Sequence, residues 1–204
     1  MQDELGILRE IGSIAASHGG TALSEILGKK IHLAVPSLDI ITTDSVSSKI
    51  DIAKIGIAVI SRLSTGLKGQ AVFLMDEENA FKLIEISNKI KDEDKKSDVL
   101  TEVGISTIKE IGNIVTSAYL NAISMMVKKI ILALPPTLIS GTMNEILNII
   151  LTSSGEDNYA LLIEAMFEEP QEKIKGGFYL VLTPEAASDI RKACKKILAE
   201  LEEK

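Results

Sequence analysis

The chain has 204 residues, 46% of them apolar, which is enough to bury a substantial core within one compact domain. Its formal net charge of -7, with Asp and Glu spread along the chain, leaves no basic stripe to track a phosphate backbone, so nucleic acid is excluded as an expected partner. A lone Cys194 rules out an internal disulfide, the opening Gln2-Asp3-Glu4 lacks the positive start of a signal peptide, and no apolar run is long enough to span a bilayer; a cytoplasmic location without membrane insertion is expected.

In chain order, the first element is a long helix, because Ile7, Ile11, Ile14, Ala22 and Ile26 recur at helical spacing. Within it, Ala15-Ala16-Ser17-His18-Gly19-Gly20 offers small residues for close helix packing, and His18 reads there as a packing or surface residue rather than a ligand. After Gly28 the pattern changes to β-branched and alternating residues, predicting strands at Ile31–Val35 and Asp39–Thr43, then at Gly56–Ile60 and Gly69–Met75. Asp76 is a suitable N-cap for a helix over 77–90. Lys91 to Asp98 is a mixed charge run without an apolar residue and reads as a solvated connection. A second long helix follows, with Ile111, Ile114, Ala118, Ala122 and Met126 at helical spacing, ending near Lys128-Lys129. Thr183-Pro184 then supplies an N-cap and a first-turn proline for a terminal helix over 184–201, whose Ile190, Ile197, Leu198 and Leu201 make an amphipathic packing face.

The two long helices are related in sequence. Laid over one another at an offset of 100 without a gap, residues 9–36 and 109–136 share ten identities in 28 positions, among them Glu10 with Glu110, Gly12 with Gly112 and Pro36 with Pro136. Lys68-Gly69 and the run to Ala80 likewise face Lys175-Gly176 and the run to Ala187 at an offset of 107. The expected fold is therefore α+β: an internally duplicated helix, strands and helix, with pseudo-two-fold symmetry and antiparallel strands packed with two long helices. One domain over 1–204 would comprise two repeats, about 1–90 and 98–204, joined by the charged linker 91–97. A monomer is expected, since duplication supplies internally the two-fold arrangement that a shorter chain would need a dimer to make.

The residues that could carry chemistry sit on the second long helix. Ser106, Glu110 and Asn113 are spaced by four and then three residues, so a hydroxyl, a carboxylate and a carboxamide project from one face beside the apolar stripe. Asn is a mediocre helix former, because its side chain competes for backbone hydrogen bonds, so its place inside a strongly patterned helix invites a reason other than helix stability. The corresponding positions of the first helix hold Gly6, Glu10 and Ser13. Nowhere does the sequence offer a nucleophile with a neighbouring base, a glycine-rich phosphate loop, paired catalytic carboxylates or clustered metal ligands.

Ser106-x3-Glu110-x2-Asn113, followed after 22 residues by Pro136, resembles the signature of the CheC, CheX and FliY phosphatases, and Lys109-Glu110-Ile111-Gly112-Asn113-Ile114 resembles the same family. The resemblance implies a protein that docks a helix face on a phosphorylated CheY-like receiver, with Glu110 and Asn113 catalytic and Ser106 and Pro136 in support. It implies no cofactor held by this chain, since magnesium and a charge-neutralising lysine belong to the receiver, and it implies CheD, a glutamine deamidase that raises phosphatase activity, as a further partner. The first copy keeps Glu10 and Pro36 but departs from the signature at Gly6 and Ser13, so one working site is expected, with Glu10, Ser13 and Pro36 a degenerate first site. A binding module that captures CheD or the phosphorylated receiver with little turnover is the alternative reading, and a structural part of a flagellar switch a third.

Overall fold

The computed structural model describes residues 2–33, 37–41, 51–88, 101–152, 160–169 and 174–202. Pro36, the linker 91–97, and the ends of two expected strands at Ala34–Val35 and Thr42–Thr43 lie outside the described residues.

Both long helices form where the apolar periodicity places them, α1 over Gln2–Leu27 and the second over Glu102–Val127. The second begins at Thr101, whose backbone is extended and whose side-chain oxygen accepts the Gly104 N–H at 3.1 Å. The two helices stop in the same way. Gly28 (φ 62°) and Lys128 (φ 52°) turn into the left-handed region, and the next residue's N–H returns to the carbonyl of Ser24 or Ser124. Glycine adopts that conformation freely, whereas Lys128 does so against its own Cβ.

Between and after the long helices run β1 (His32–Leu33), β2 (Ser37–Ile41), β3 (Ile55–Thr65), β4 (Gly69–Asp76), α2 (Glu77–Ser87), β5 (Leu132–Ala133), β6 (Thr137–Thr142), α4 (Met143–Thr152), β7 (Ala160–Glu169), β8 (Ile174–Leu182) and α5 (Pro184–Glu202); the helix over Glu102–Val127 is α3. Asp76 caps α2, accepting the Asn79 N–H at 2.8 Å, and Thr183 Oγ1 accepts the Ala186 N–H at the start of α5. The strands make one eight-stranded antiparallel sheet, in the order β1-β7-β8-β4-β3-β5, with β2 also on β7 and β6 also on β3. β4 and β8 pair at its centre, where Phe73 stands opposite Phe178. Among the described residues no helix is long and apolar enough to cross a membrane.

The α+β class and antiparallel sheet agree with the expectation, and α4 adds to it. Residues alternate across the sheet. Ile57, Val59, Ala71, Phe73 and Leu180 join a core with α1, α2, α3 and α5, while Ala58, Ile60, Val72, Leu74 and Val181 join a second core under Met143, Ile146, Leu147 and Ile150 of α4. With helices on both faces, the central strands β4 and β8 are buried nearly end to end instead of alternating buried with exposed. α4 follows β6 without a loop because Thr142 and Glu145 form a capping box: the Thr142 N–H donates to the Glu145 carboxylate at 2.8 Å, and the Glu145 N–H donates to Thr142 Oγ1 at 3.2 Å. At the other end, buried Gln70 on β4 donates its amide to the Ile150 carbonyl at 2.6 Å, satisfying one of the carbonyls that a helix end leaves without a partner.

Candidate functional site

The orientation of α3 is set by what it buries. Ile108, Ile111, Val115, Tyr119, Ile123 and Val127 face the core, and the Tyr119 ring lies on Phe178 with centroids 4.1 Å apart. Gly112 brings the helix backbone directly onto β3, since a Cβ there would stand 2.9 Å from both Cβ and Cγ1 of Val59. On the side of α3 next to α1, the small residues do what their composition suggests: Ala15, Ala16, Gly19 and Gly20 are buried, and a Cβ on Gly19 would lie 3.5 Å from Val115. His18 is exposed, a surface residue.

With one side so fixed, the opposite side of α3 carries Ser106 and Glu110, both exposed, and Asn113, half-buried. The structure thus brings these three predicted residues onto one helix face. The neighbouring Thr107 is engaged, donating to the Val103 carbonyl at 2.9 Å and meeting Asn88 of α2, whereas the side chains of Ser106, Glu110 and Asn113 have no hydrogen-bond or ion-pair partner among the described residues. A carboxylate and a carboxamide one turn apart, held by a packed helix and left open, can receive a donor and orient a water on an incoming surface. Pro136 is elsewhere, half-buried in the link between β5 and β6, where its missing N–H costs no ladder bond. In the first half, Gly6, Glu10 and Ser13 are all exposed on α1, and a Cβ on Gly6 would meet nothing within 4 Å. Gly112 is the site residue that the sequence reading did not single out; its position between Glu110 and Asn113 was visible, and its contact with Val59 was not.

The fold is one that other solved proteins share. It matches FliY of Thermotoga maritima over 96% of this chain and 98% of that one, with a TM-score of 0.76 at 21% identity. It also matches CheX of Borrelia burgdorferi, solved with CheY, BeF3 and magnesium, over 85% and 96% of the two chains, with a TM-score of 0.57 at 20% identity. In sequence, the model of the CheC-like family matches residues 103–140, a span that contains Ser106, Glu110, Asn113 and Pro136. The CheY-P phosphatase CheC of Bacillus subtilis (strain 168) is 30% identical over 131 residues, 62% of this chain. The chain is similar in sequence to the CheC-like family over the helix that carries the candidate site. The match spans 61% of the length of that relative.

Proposed function

We propose that this chain is a phosphatase for the aspartyl phosphate of a CheY-like receiver, working from the outward face of α3. The observation that carries the reading is the pair Glu110 and Asn113, uncommitted on one face of a helix whose other face is locked into the core. The match of the CheC-like family model to this helix supports it, as does the name of the Bacillus subtilis relative.

An acyl phosphate is already reactive, so catalysis needs chiefly a water held in line with the scissile bond. The Asn113 carboxamide oxygen accepts a hydrogen bond from the water and its NH2 donates to a phosphoryl oxygen, fixing the water without exchanging a proton itself. The water oxygen then bonds to phosphorus as the bond to the receiver's carboxylate oxygen breaks; the carboxylate departs with the electron pair, and the water's proton ends on the phosphate. Glu110 holds the receiver by accepting from its lysine, with Ser106 beside it as a hydroxyl on the same face. Magnesium is the receiver's, not this chain's. Ser13, with a shorter side chain and no amide, does not reach as Asn113 does, so the first half contributes no turnover. CheD enters this reading as a regulator.

The test is the decay of a phosphorylated CheY-like receiver with substoichiometric wild type, Asn113→Ala and Ser13→Ala. Accelerated decay is expected with wild type and Ser13→Ala, with a loss of about a hundredfold or more in Asn113→Ala, the scale seen when one positioning group is removed. No acceleration by wild type, even with CheD, combined with retention of the phosphorylated form at equimolar amounts, would replace the phosphatase by a sequestering module.

A further inference from the structure

The outward face of α3 has apolar side chains at both ends of its polar centre. Val103 is 65% exposed and Met125 78%. At 100° per residue both lie within about 60° of Glu110 around the helix. Along the axis they stand roughly 15 Å and 18 Å from Asn113 on either side. Just beyond Met125, the Lys129 N–H donates to the Ser124 carbonyl and the Ser124 hydroxyl donates to the Lys129 carbonyl; these bonds hold Ile130, 71% exposed, next to the end of the same stripe. Leu132 and Leu134 continue the exposed apolar run.

A single exposed apolar residue is unremarkable. The comparison between halves is not so easily dismissed. At the offset that superposes Glu10 on Glu110, the residues facing Val103, Met125, Ile130, Leu132 and Leu134 are Asp3, Glu25, Lys30, His32 and Ala34. Glu25 and Lys30 are exposed, as their counterparts are. At two equivalent places, then, the first half puts solvated charge, Glu25 and Lys30, where the second leaves Met125 and Ile130 apolar and exposed, and the second is the half that also holds the carboxamide.

We infer that Val103, Met125 and Ile130 are docking residues for the phosphorylated receiver, an apolar bracket that seats it with its acyl phosphate over Asn113 and keeps bulk water from the reacting centre. The inference rests on the proposed phosphatase reading, and the occupant is chosen because the apolar residues adjoin Glu110 on the same outward side of α3, on the flank away from Asn113. A separation of roughly 33 Å between the ends matches the width of a standard interface of about 800 Å² per partner. Surrounding contacts that exclude water strengthen the central contacts they enclose.

The experiment transplants the first half's residues into the second. Binding of a receiver held in its active form with BeF3 and magnesium is titrated for wild type, Val103→Asp, Met125→Glu and Ile130→Lys, with Ile149→Lys as a control on the far side of the sheet. Melting curves confirm that each variant is folded. At least a tenfold rise in Kd is expected for Met125→Glu and for Val103→Asp, and none for Ile149→Lys. Unchanged binding in all three bracket variants, while wild type still binds and dephosphorylates the receiver, overturns the bracket and leaves the phosphatase intact. Wild type that neither binds nor dephosphorylates the receiver overturns both. A change of oligomeric state in Met125→Glu with receiver binding unaffected assigns the apolar residues to a second copy of the chain and likewise overturns the inference.

Discussion

Asn113 owes its position to the residue before it. Gly112 lies on Val59, which is fully buried on a central strand and attached to its backbone through the very Cβ that an added methyl would strike at 2.9 Å. Alanine has the better helix propensity by up to about 1 kcal/mol, but the contact is with a branch point and not with a side-chain tip that could swing aside. Overpacking therefore wins, and Gly112→Ala is expected to cost about 1–3 kcal/mol, a fall in melting temperature of roughly 2–12 °C. Because Glu110 and Asn113 flank the contact, the displaced helix would also slow the proposed receiver dephosphorylation well below the melting temperature, and the two readouts together separate this glycine from one with only a folding role. Polar type and spacing made Glu110 and Asn113 legible in the sequence as one face. The depth of that face was not legible, since it depends on a residue of β3 far away along the chain.

Among the elements, α4 has the most exposed dependence on charge. The Thr142 N–H and hydroxyl both donate to the Glu145 carboxylate and hold its pKa below the ordinary 4.5. Hydrogen bonding to Lys129 does the same for Asp189, tying α5 to the exit of α3 at 2.8 Å. A carboxyl with a lower pKa in the folded state binds fewer protons there than in the unfolded state. Its stabilisation is therefore complete above the ordinary value and is lost as pH falls through the folded value. The melting temperature should thus drop from about pH 4.5 downward, and Glu145→Gln should lie below wild type at neutral pH and drop less on acidification. A Glu145→Gln curve parallel to wild type across that range would show that the capping box contributes nothing to the pH dependence. The same helix marks where element reading reached its end. α1, α2, α3 and α5 announced themselves through helical periodicity and caps. α4 carries a capping signal of its own, Thr142-x-x-Glu145, but Ile146-Leu147 and Ile149-Ile150-Leu151 form a short apolar run that suits a buried strand equally well, and no loop separates it from β6.

At the scale of the molecule, pairing runs between the halves more than within them. Among the described residues, those up to 90 contain one self-paired unit, the β3–β4 hairpin, while β1 and β2 find partners only on β7. Those after the linker contain β7–β8, while among the described residues β5 and β6 find partners only on β3. The centre of the sheet is the β4–β8 pair, again one strand from each half, and α1 packs against α3. Either half alone would leave two strands unpaired and one side of its long helix uncovered, a cost in buried polar groups and lost apolar burial that neither could meet. The intact chain is therefore expected to unfold in one cooperative transition, with far-ultraviolet dichroism and tyrosine fluorescence coincident. Residues 1–90 expressed alone should show no cooperative melt, whereas a chain cut by a protease site placed in the charged 91–97 run should stay together as a one-to-one complex and keep the proposed receiver phosphatase activity. Two separable transitions in the intact chain would contradict this interdependence. The same pairing gives a physical role to a half without the carboxamide: it supplies β3 for Gly112 to rest on and α1 to brace α3. Substitution at exposed Ser13 should accordingly leave the proposed activity standing, while a side chain larger than alanine at buried Gly19, whose Cβ position is already in van der Waals contact with Val115 at 3.5 Å and Tyr119 at 3.8 Å, should disturb the face that carries Asn113.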